Sequence, residues 1–110
     1  MSLKEIIFDC LGKVKAQNII CYDMKGYSPF YDEMVIATVD VERQANAVIG
    51  YIEEEVIKAG YKVRSVEGAY TSWVLIDCYD VVVSVFTKEE REHFALEKLY
   101  LDFPKQIISN

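Results

Sequence analysis

The sequence predicts a single mixed α/β domain in which a five-stranded mixed sheet is packed by about three helices. Apolar residues recur at helical spacing in three segments, and short β-branched or aromatic runs lie between them. The 110 residues, 52% of them hydrophobic, are enough for one modest core. The predicted order over residues 1–110 is α-β-β-α-β-β-β-α, with an N-terminal helix at 1–15 and a C-terminal tail at 103–110.

The N-terminal half is predicted to hold two helices and two strands. A Ser-x-x-Glu capping box at Ser2 opens the first helix. Apolar runs at 18–24 and Glu33–Val39 are the predicted strands, with a loop rich in turn residues between them. Asp40 is predicted to cap the second helix, which Gly60 ends in the C′ position.

Three closely spaced strands and a last helix are predicted in the C-terminal half. The strands are Tyr61–Glu67, Ser72–Cys78 and Val81–Phe86. The third is β-branched nearly throughout, which indicates a central strand covered on both faces. Thr87 and Glu90 form a second capping box for the last helix. The apolar residues of that helix are Phe94, Ala95, Leu96, Leu99 and Tyr100.

The charge of the chain favours a basic protein partner over nucleic acid. Lys and Arg number 12 against 18 Asp and Glu, a formal net charge of −6. An acidic surface repels phosphate, so direct binding to nucleic acid is not expected, whereas complementary fields speed encounter with a basic protein. The alternative, that the acidity only keeps the protein soluble, stays open. No signal peptide or membrane-spanning run appears, so a cytoplasmic location without membrane contact is expected.

The residue types that usually carry chemistry do not form a recognisable motif. Cys10, Cys21 and Cys78 include no C-x-x-C pair, so neither a disulfide framework nor a zinc site is supported, and we expect core cysteines. His93 has no partner in the sequence that would make it a general base, so a surface or packing role is expected. We therefore predict no metal and no cofactor.

Two carboxylates near a strand turn leave a nucleotidyltransferase-like enzyme as the runner-up hypothesis. Asp77 and Asp80 could hold Mg²⁺ for phosphoryl or nucleotidyl transfer, and the element order is compatible with such a core. These enzymes need a Gly-Ser helix start that holds phosphate. Here the helix begins Thr38-Val39-Asp40-Val41, without glycine and with an aspartate that would repel phosphate. The core is thus predicted to lack the catalytic motif.

The fourth predicted strand has one apolar face and one mixed face. Val74, Ile76 and Cys78 alternate with Trp73, Leu75 and Asp77. The wholly apolar set is predicted to face the core. The mixed set fits a binding face, because a large aromatic beside an acid is typical of interfaces. From the residues alone, Trp73 as a binding residue and Trp73 as a cap on the core edge are equally supported.

An ordered series of short segments runs from about Ala16 to Asp102. No piece is specific alone, whereas the order and spacing together are. The series resembles the Iojap, or ribosomal silencing factor, family. The matching positions are Asn18–Asp23, Gly26, Ser28, Asp32, Val35–Thr38, Arg43, Gly60, Val66–Gly68, Trp73–Asp77, Asp80–Val83, Arg91, Phe94, Leu96, Glu97 and Leu99.

The resemblance implies a translation regulator without turnover or cofactor. Such proteins dock on the large ribosomal subunit through the interface ribosomal protein numbered fourteen, prevent the small subunit from joining, and damp translation when nutrients are scarce. The resemblance also implies that the segment from Trp73 to Asp80 and nearby acids meet this basic partner, which favours the binding role for Trp73. The partner-binding residues implied are Trp73, Asp77, Tyr79, Asp80 and Glu67.

The chain departs from the family pattern before the central helix and at two later positions. Members usually have Thr-Gly-Thr-Ser before the central helix, where this chain has Thr38-Val39-Asp40-Val41. Histidine is usual where Ser84 stands, and glycine where Tyr79 stands. Because glycine reaches positive φ cheaply and tyrosine does not, we expect a different turn at Tyr79. A third hypothesis, a dimerising adaptor, follows from the open edge of such a sheet, so a homodimer is also considered.

Overall fold

The structure is a computed structural model that describes residues 1–94 and 103–109. Within these residues the fold consists of six strands and three helices. The mixed α/β class predicted from the sequence is confirmed. Residues 95–100 of the predicted last helix lie outside the described part of the chain. In chain order the elements are α1 Leu3–Lys13, β1 Gln17–Asp23, β2 Glu33–Val39, α2 Glu42–Lys58, β3 Ser65–Glu67, β4 Trp73–Asp77, β5 Val81–Thr87, α3 Lys88–Phe94 and β6 Lys105–Ser109.

The sheet has the strand order β3-β4-β5-β2-β1-β6, so the predicted count of five strands is wrong. Part of the expected tail at 103–110 forms β6, which pairs antiparallel with β1 and places Ile107 beside Ile20. Pairing satisfies the backbone groups of β6, which a free tail would leave to water. The strand was missed because five residues after Pro104 are too short to show a clear alternation.

β5 is the central strand, as predicted from its β-branched run. All seven residues from Val81 to Thr87 are buried. On one side β5 pairs parallel with β2, and on the other it pairs antiparallel with β4. The parallel pair requires a crossover connection, which α2 supplies.

Two apolar clusters cover the two faces of the sheet. The larger cluster packs α1 and α2 against the sheet and includes Ile7, Val48, Val74 and Val83. We call the opposite side, turned away from α1 and α2, the distal face. Its cluster contains buried Tyr22, Met24, Met34, Ile36, Val82 and Phe86, with partly buried Ile20, Tyr31, Trp73, Leu75 and Phe103 packed against them.

Side-chain hydrogen bonds to the backbone fix where α1 and α2 begin. Ser2 caps α1, since its hydroxyl accepts a hydrogen bond from the Glu5 N–H at 3.2 Å. The Glu5 carboxylate in turn accepts from the Ser2 N–H at 3.1 Å. The prediction that Asp40 caps α2 is wrong. Instead, the Gln44 side-chain oxygen accepts from the N–H groups of Asp40 and Val41, both at 3.0 Å. No helix among the described residues has both the length and the apolar character that crossing a membrane requires.

Side chains at the start and in the middle of α3 hold this helix to the sheet. The Thr87 hydroxyl accepts from the Glu90 N–H at 3.3 Å, which confirms the predicted cap. The return half of the predicted box is absent, because the Glu90 carboxylate accepts from the Ser72 hydroxyl at 2.6 Å. Further along, the buried guanidinium of Arg91 donates to the Asn18 carbonyl at 2.8 Å. These contacts fix α3 beside the ends of β1, β2 and β5.

β3 is shorter than predicted, because only Ser65–Glu67 pair with β4. The connection from β3 to β4 turns sharply at Gly68, whose φ is +76°. A Cβ at this position would lie 2.1 Å from the Trp73 carbonyl oxygen. Gly60, which ends α2 as predicted, also has a positive φ of +93°, but a Cβ there would have no neighbour within 4 Å.

These two glycines form a matched pair for a stability measurement. Gly60→Ala should lower the free energy of unfolding by about 1 kcal/mol, the cost of a left-handed alanine. Gly68→Ala should cost about 1–3 kcal/mol more, because the Trp73 backbone must also move. Urea denaturation of both variants measures the difference. Equal losses would contradict the close approach of Gly68 to Trp73.

Candidate functional site

The alternation predicted for β4 is confirmed. Val74, Ile76 and Cys78 are buried in the cluster shared with α1 and α2. Trp73, Leu75 and Asp77 are half-buried on the other side of the strand. Side chains from β4 therefore reach the distal face at three successive outward positions.

Trp73 combines the two roles that the sequence left open. Its ring stacks on buried Phe86 of β5, with ring centroids 4.9 Å apart and an interplanar angle of 24°. The residue nevertheless remains partly exposed, although its indole Nε1 is buried. One ring face therefore extends the core, while the exposed part is available to a partner. Stacking holds this aromatic in place before any partner arrives, which lowers the entropic cost of using it as an anchor.

Asp77 is tied into the protein by both of its oxygens. Oδ2 accepts from the Arg64 guanidinium, at 3.0 Å from Nε and 2.9 Å from Nη2. Oδ1 accepts from the Tyr79 N–H at 2.9 Å. The Arg64 guanidinium also lies over the Tyr79 ring, 4.8 Å from its centroid. Asp77 thus organises the turn, and its negative charge is paired inside the molecule rather than presented unpaired to a partner.

Tyr79 adopts the left-handed backbone that glycine favours, with φ at +70°. Tyrosine therefore reaches here the positive φ that glycine adopts at lower cost. Hydrogen bonding to Asp77 and stacking on Arg64 hold the tyrosine in a conformation that costs roughly 1–2 kcal/mol for a residue with a Cβ. Tyr79 as a whole residue is 43% exposed, so the strained turn carries an aromatic side chain at the protein surface.

Asp80 connects this turn to the loop between β1 and β2. Its carbonyl accepts from the Asp32 N–H at 2.8 Å and from the Glu33 N–H at 3.0 Å. The carboxylates of Asp32 and Asp80 belong to exposed residues. The neighbouring Cys78 N–H donates to the Val81 carbonyl at 2.9 Å, which closes the turn into β5. The backbones of two exposed acidic residues are therefore held together next to the Tyr79 turn.

Glu67 lies across from Leu75 on β3, on the distal side of the sheet and exposed. We call the surface formed by Glu67, Trp73, Asp77, Tyr79 and Asp80 the Trp73 face. The structure thus places all five predicted residues along β4, its turn and the adjoining edge strand. The sequence reasoning missed Arg64, because its partner Asp77 is 13 positions away and only the register of β3 against β4 brings them together.

Ser84, where the family usually has histidine, is buried beneath this surface. Its hydroxyl lies 3.8 Å from the sulfur of Met34, and it pairs with Leu75 across the strands. Ser84 therefore supports the distal cluster and cannot itself touch a partner.

Catalytic groups are not assembled at this surface. Asp77 is occupied by Arg64 and Tyr79, and no group of three or more His, Cys, Asp or Glu able to hold a metal occurs among the residues with described positions. All three cysteines are buried, as predicted. Burial raises the pKa of the Cys21 and Cys78 thiols to about 12, which keeps both protonated and unreactive at neutral pH.

The start of α2 also lacks the features of a phosphate site. Val41 stands at the N-cap position, and its side chain provides no capping hydrogen bond. Exposed Asp40 and Glu42 flank it. Their negative charges oppose the favourable field that a helix N-terminus offers to an anion. The start of α2 is therefore unfavourable for holding a phosphate group.

Fold and surface together define a small mixed α/β domain with an aromatic and acidic sheet face. The family described as ribosomal silencing factor during starvation matches residues 2–110. The chain therefore belongs to the ribosomal silencing factor family, as the order of its segments predicted.

Named relatives support the same assignment. The ribosomal silencing factor of Bacillus subtilis is 37% identical over 91 residues, which cover 82% of this chain and 77% of that protein. The one from Halalkalibacterium halodurans is 34% identical over 103 residues, covering 93% of this chain and 88% of the relative. That from Haemophilus influenzae is 32% identical over 101 residues, covering 91% of this chain and 99% of the relative.

Solved structures of similar proteins share the fold. A crystal structure from Chromobacterium violaceum superposes with a TM-score of 0.85 at 26% identity, covering 98% of this chain and 91% of the other. A crystal structure from Bacillus halodurans superposes with a TM-score of 0.83 at 32% identity, covering 96% of this chain and 97% of the other. The mixed sheet and its helices are thus shared by proteins of distant sequence.

The strain at Tyr79 is measurable with two substitutions. Tyr79→Gly and Tyr79→Ala both remove the ring that Arg64 covers, but only glycine relaxes the backbone at φ +70°. After allowing for the greater chain entropy of glycine, Tyr79→Gly should be more stable than Tyr79→Ala by about 0.5–1 kcal/mol. Urea denaturation measures both. An alanine variant as stable as the glycine variant would show that the turn does not hold the left-handed conformation.

Proposed function

We propose that this protein binds the large ribosomal subunit through the ribosomal protein numbered fourteen at the subunit interface. Bound there, it sterically prevents the small subunit from joining and represses translation when nutrients are scarce. The observation that carries the proposal is the Trp73 face in a member of the ribosomal silencing factor family. A rigid aromatic and a set of exposed acids at one surface suit a basic protein partner.

The energetics of such a contact divide between anchor and rim. Trp73 is held by its stack on Phe86, so it loses little freedom on binding, and its accessible part can be desolvated by a partner. Exposed Glu67 and Asp80 lie around it and attract positive charge without the cost of full burial. Asp77 acts differently, since its pairing with Arg64 makes it a support for the turn.

The proposed mechanism is occlusion and involves no bond making or breaking. A domain with dimensions of 34 × 33 × 23 Å is large enough to obstruct contact between two subunits wherever it sits at their interface. The mechanism requires neither metal nor cofactor, and no direct contact with nucleic acid. A factor that acts on ribosomal subunits is proposed to work in the cytoplasm.

Self-association is a separate part of the proposal. β6 is the outer strand on one side of the sheet and β3, with three residues, on the other. A homodimer formed by strand addition would use β6, because its five residues offer more backbone hydrogen bonds than β3. Such pairing would leave the Trp73 face, at the other side of the sheet, accessible to the ribosome.

Subunit joining is the direct test of the proposed function. Purified large and small subunits are mixed with increasing amounts of the protein, and the products are separated by gradient sedimentation. Joined ribosomes should decrease, while the protein sediments with the large subunit. Unchanged joining at saturating protein would contradict the mechanism, and sedimentation with the small subunit alone would contradict the assignment of the partner.

Trp73→Ala should weaken binding to large subunits about thirtyfold or more, since truncation of an interface anchor costs roughly 2 kcal/mol and each 1.4 kcal/mol is tenfold. Asp80→Asn should act more mildly, chiefly on the association rate and its salt dependence. Tyr51→Ala is the matched control, because Tyr51 is a partly exposed aromatic of α2, outside the Trp73 face. Binding is measured by co-sedimentation over a concentration series.

The Trp73 variant requires a folding control, because its ring also stacks on Phe86. Loss of this stack should lower the melting temperature, so binding is compared at a temperature where the variant remains fully folded. A folded Trp73→Ala protein that binds like the wild type would remove Trp73 from the binding surface. A binding defect of the same size in Tyr51→Ala would show that the effect does not depend on this face.

A further inference from the structure

We propose that the loop between β1 and β2 extends the binding surface and that Phe30 is its apolar anchor. The inference rests on the proposed function, since it commits to the same occupant, a basic protein of the large ribosomal subunit. It adds a residue outside the Trp73 face and outside strand β4. The relevant chemistry is an exposed phenylalanine on a hydrogen-bonded loop that also carries exposed Asp32.

Phe30 is conspicuous among the exposed apolar side chains. It is 76% exposed. In the part of the chain that the structure describes, the other exposed aromatic residues of large size are tyrosines, whose hydroxyl groups can hydrogen-bond to water. A phenylalanine lacks such a group, so its ring gains most when a partner removes it from water.

Hydrogen bonds within the loop hold the backbone that carries Phe30 in a defined conformation. The N–H groups of Tyr27 and Ser28 both donate to the Met24 carbonyl at 3.0 Å. The Ser28 hydroxyl then accepts from the Phe30 N–H at 3.2 Å. At the base of the loop, the Met24 N–H donates to the Asp32 carbonyl at 2.7 Å. A preformed loop loses less conformational entropy on binding than a flexible one.

The loop is continuous with the Trp73 face through both backbone and side chains. The Asp80 carbonyl accepts from the N–H groups of Asp32 and Glu33, which binds the loop's end to the Tyr79 turn. Tyr31, next to Phe30 in the chain, packs in the distal cluster that also includes Trp73 and Leu75. The loop and the Tyr79 turn of the Trp73 face are therefore joined by hydrogen bonds, so a partner that covers the turn lies next to the loop.

Charge identifies the occupant of this surface. Exposed Asp32 lies two residues from Phe30 in the chain, and its N–H donates to the carbonyl of exposed Asp80. An exposed apolar ring on a loop that ends beside two acidic residues matches a protein surface that offers an apolar patch next to basic side chains. Phosphate backbones do not fit, because the carboxylates would repel them. Ribosomal protein, rather than ribosomal RNA, is thus the partner.

Substitution of Phe30 tests the inference with purified large ribosomal subunits. Phe30→Ser should raise the Kd for the subunits about tenfold or more, as expected when an interface aromatic is lost, while Phe30→Leu should stay within about threefold of the wild type. Both variants should keep the wild-type melting temperature, because the side chain is exposed. Ile57→Ser is the matched control, since it removes a 60% exposed apolar side chain from α2, on the opposite side of the sheet.

A photocrosslinker identifies what Phe30 touches. Benzoylphenylalanine placed at position 30 should crosslink to a ribosomal protein of the large subunit, and the same group at position 57 should not. Crosslinking to ribosomal RNA would overturn the choice of occupant. Crosslinking of both positions to the same extent would overturn the assignment of the surface.

The binding series separates the two proposals. If the wild type binds large subunits and Phe30→Ser binds equally well, the role of Phe30 is overturned and the proposed function stands. If the wild type does not bind large subunits, the proposed function is overturned, and the role of Phe30 with it. Tenfold weaker binding by Phe30→Ser but not by Ile57→Ser supports both.

Discussion

The pairing of β5 with β2 and β4 is the constraint on which the rest of the structure depends. Every residue from Val81 to Thr87 is buried, so both faces of this strand must be covered and all its backbone groups paired. Covering one face requires α1 and α2, whereas the other face is covered by the distal cluster. Trp73 is placed by this requirement, because its position opposite Phe86 allows it to complete the distal cluster and remain accessible.

The turn that leads into β5 positions both the central strand and the residues of the proposed binding surface. Asp77, Tyr79 and Arg64 form a closed set of contacts that fixes a left-handed residue at the start of the central strand. The Asp80 carbonyl then fastens the loop that carries Phe30. A domain of this size buries a modest share of its surface, so rigid recognition has to come from such local networks as well as from the core. The proposed binding surface is preorganised because it shares these groups with the fold.

Periodicity predicted the elements whose identity depends on burial. The alternation from Trp73 to Cys78 and the continuous β-branched run from Val81 reflect which side chains are buried away from water. β6, the Gln44 contacts at α2 and the pairing of Arg64 with Asp77 were not predicted, because each depends on partners far away in the sequence or on backbone hydrogen bonds. The alternation of β4 pointed to Trp73 and Asp77, the family resemblance added Glu67, Tyr79 and Asp80, and the structure alone added Phe30.

The central claim is that the distal side of the sheet, near β4 and its turn, faces the ribosome. A cryo-electron microscopy reconstruction of the protein on the large ribosomal subunit tests it most directly. The Trp73 face should contact a ribosomal protein at the surface where the small subunit joins, with α1 and α2 directed away from that contact. Density that places α1 and α2 against the subunit, or the protein away from the joining surface, would contradict the account.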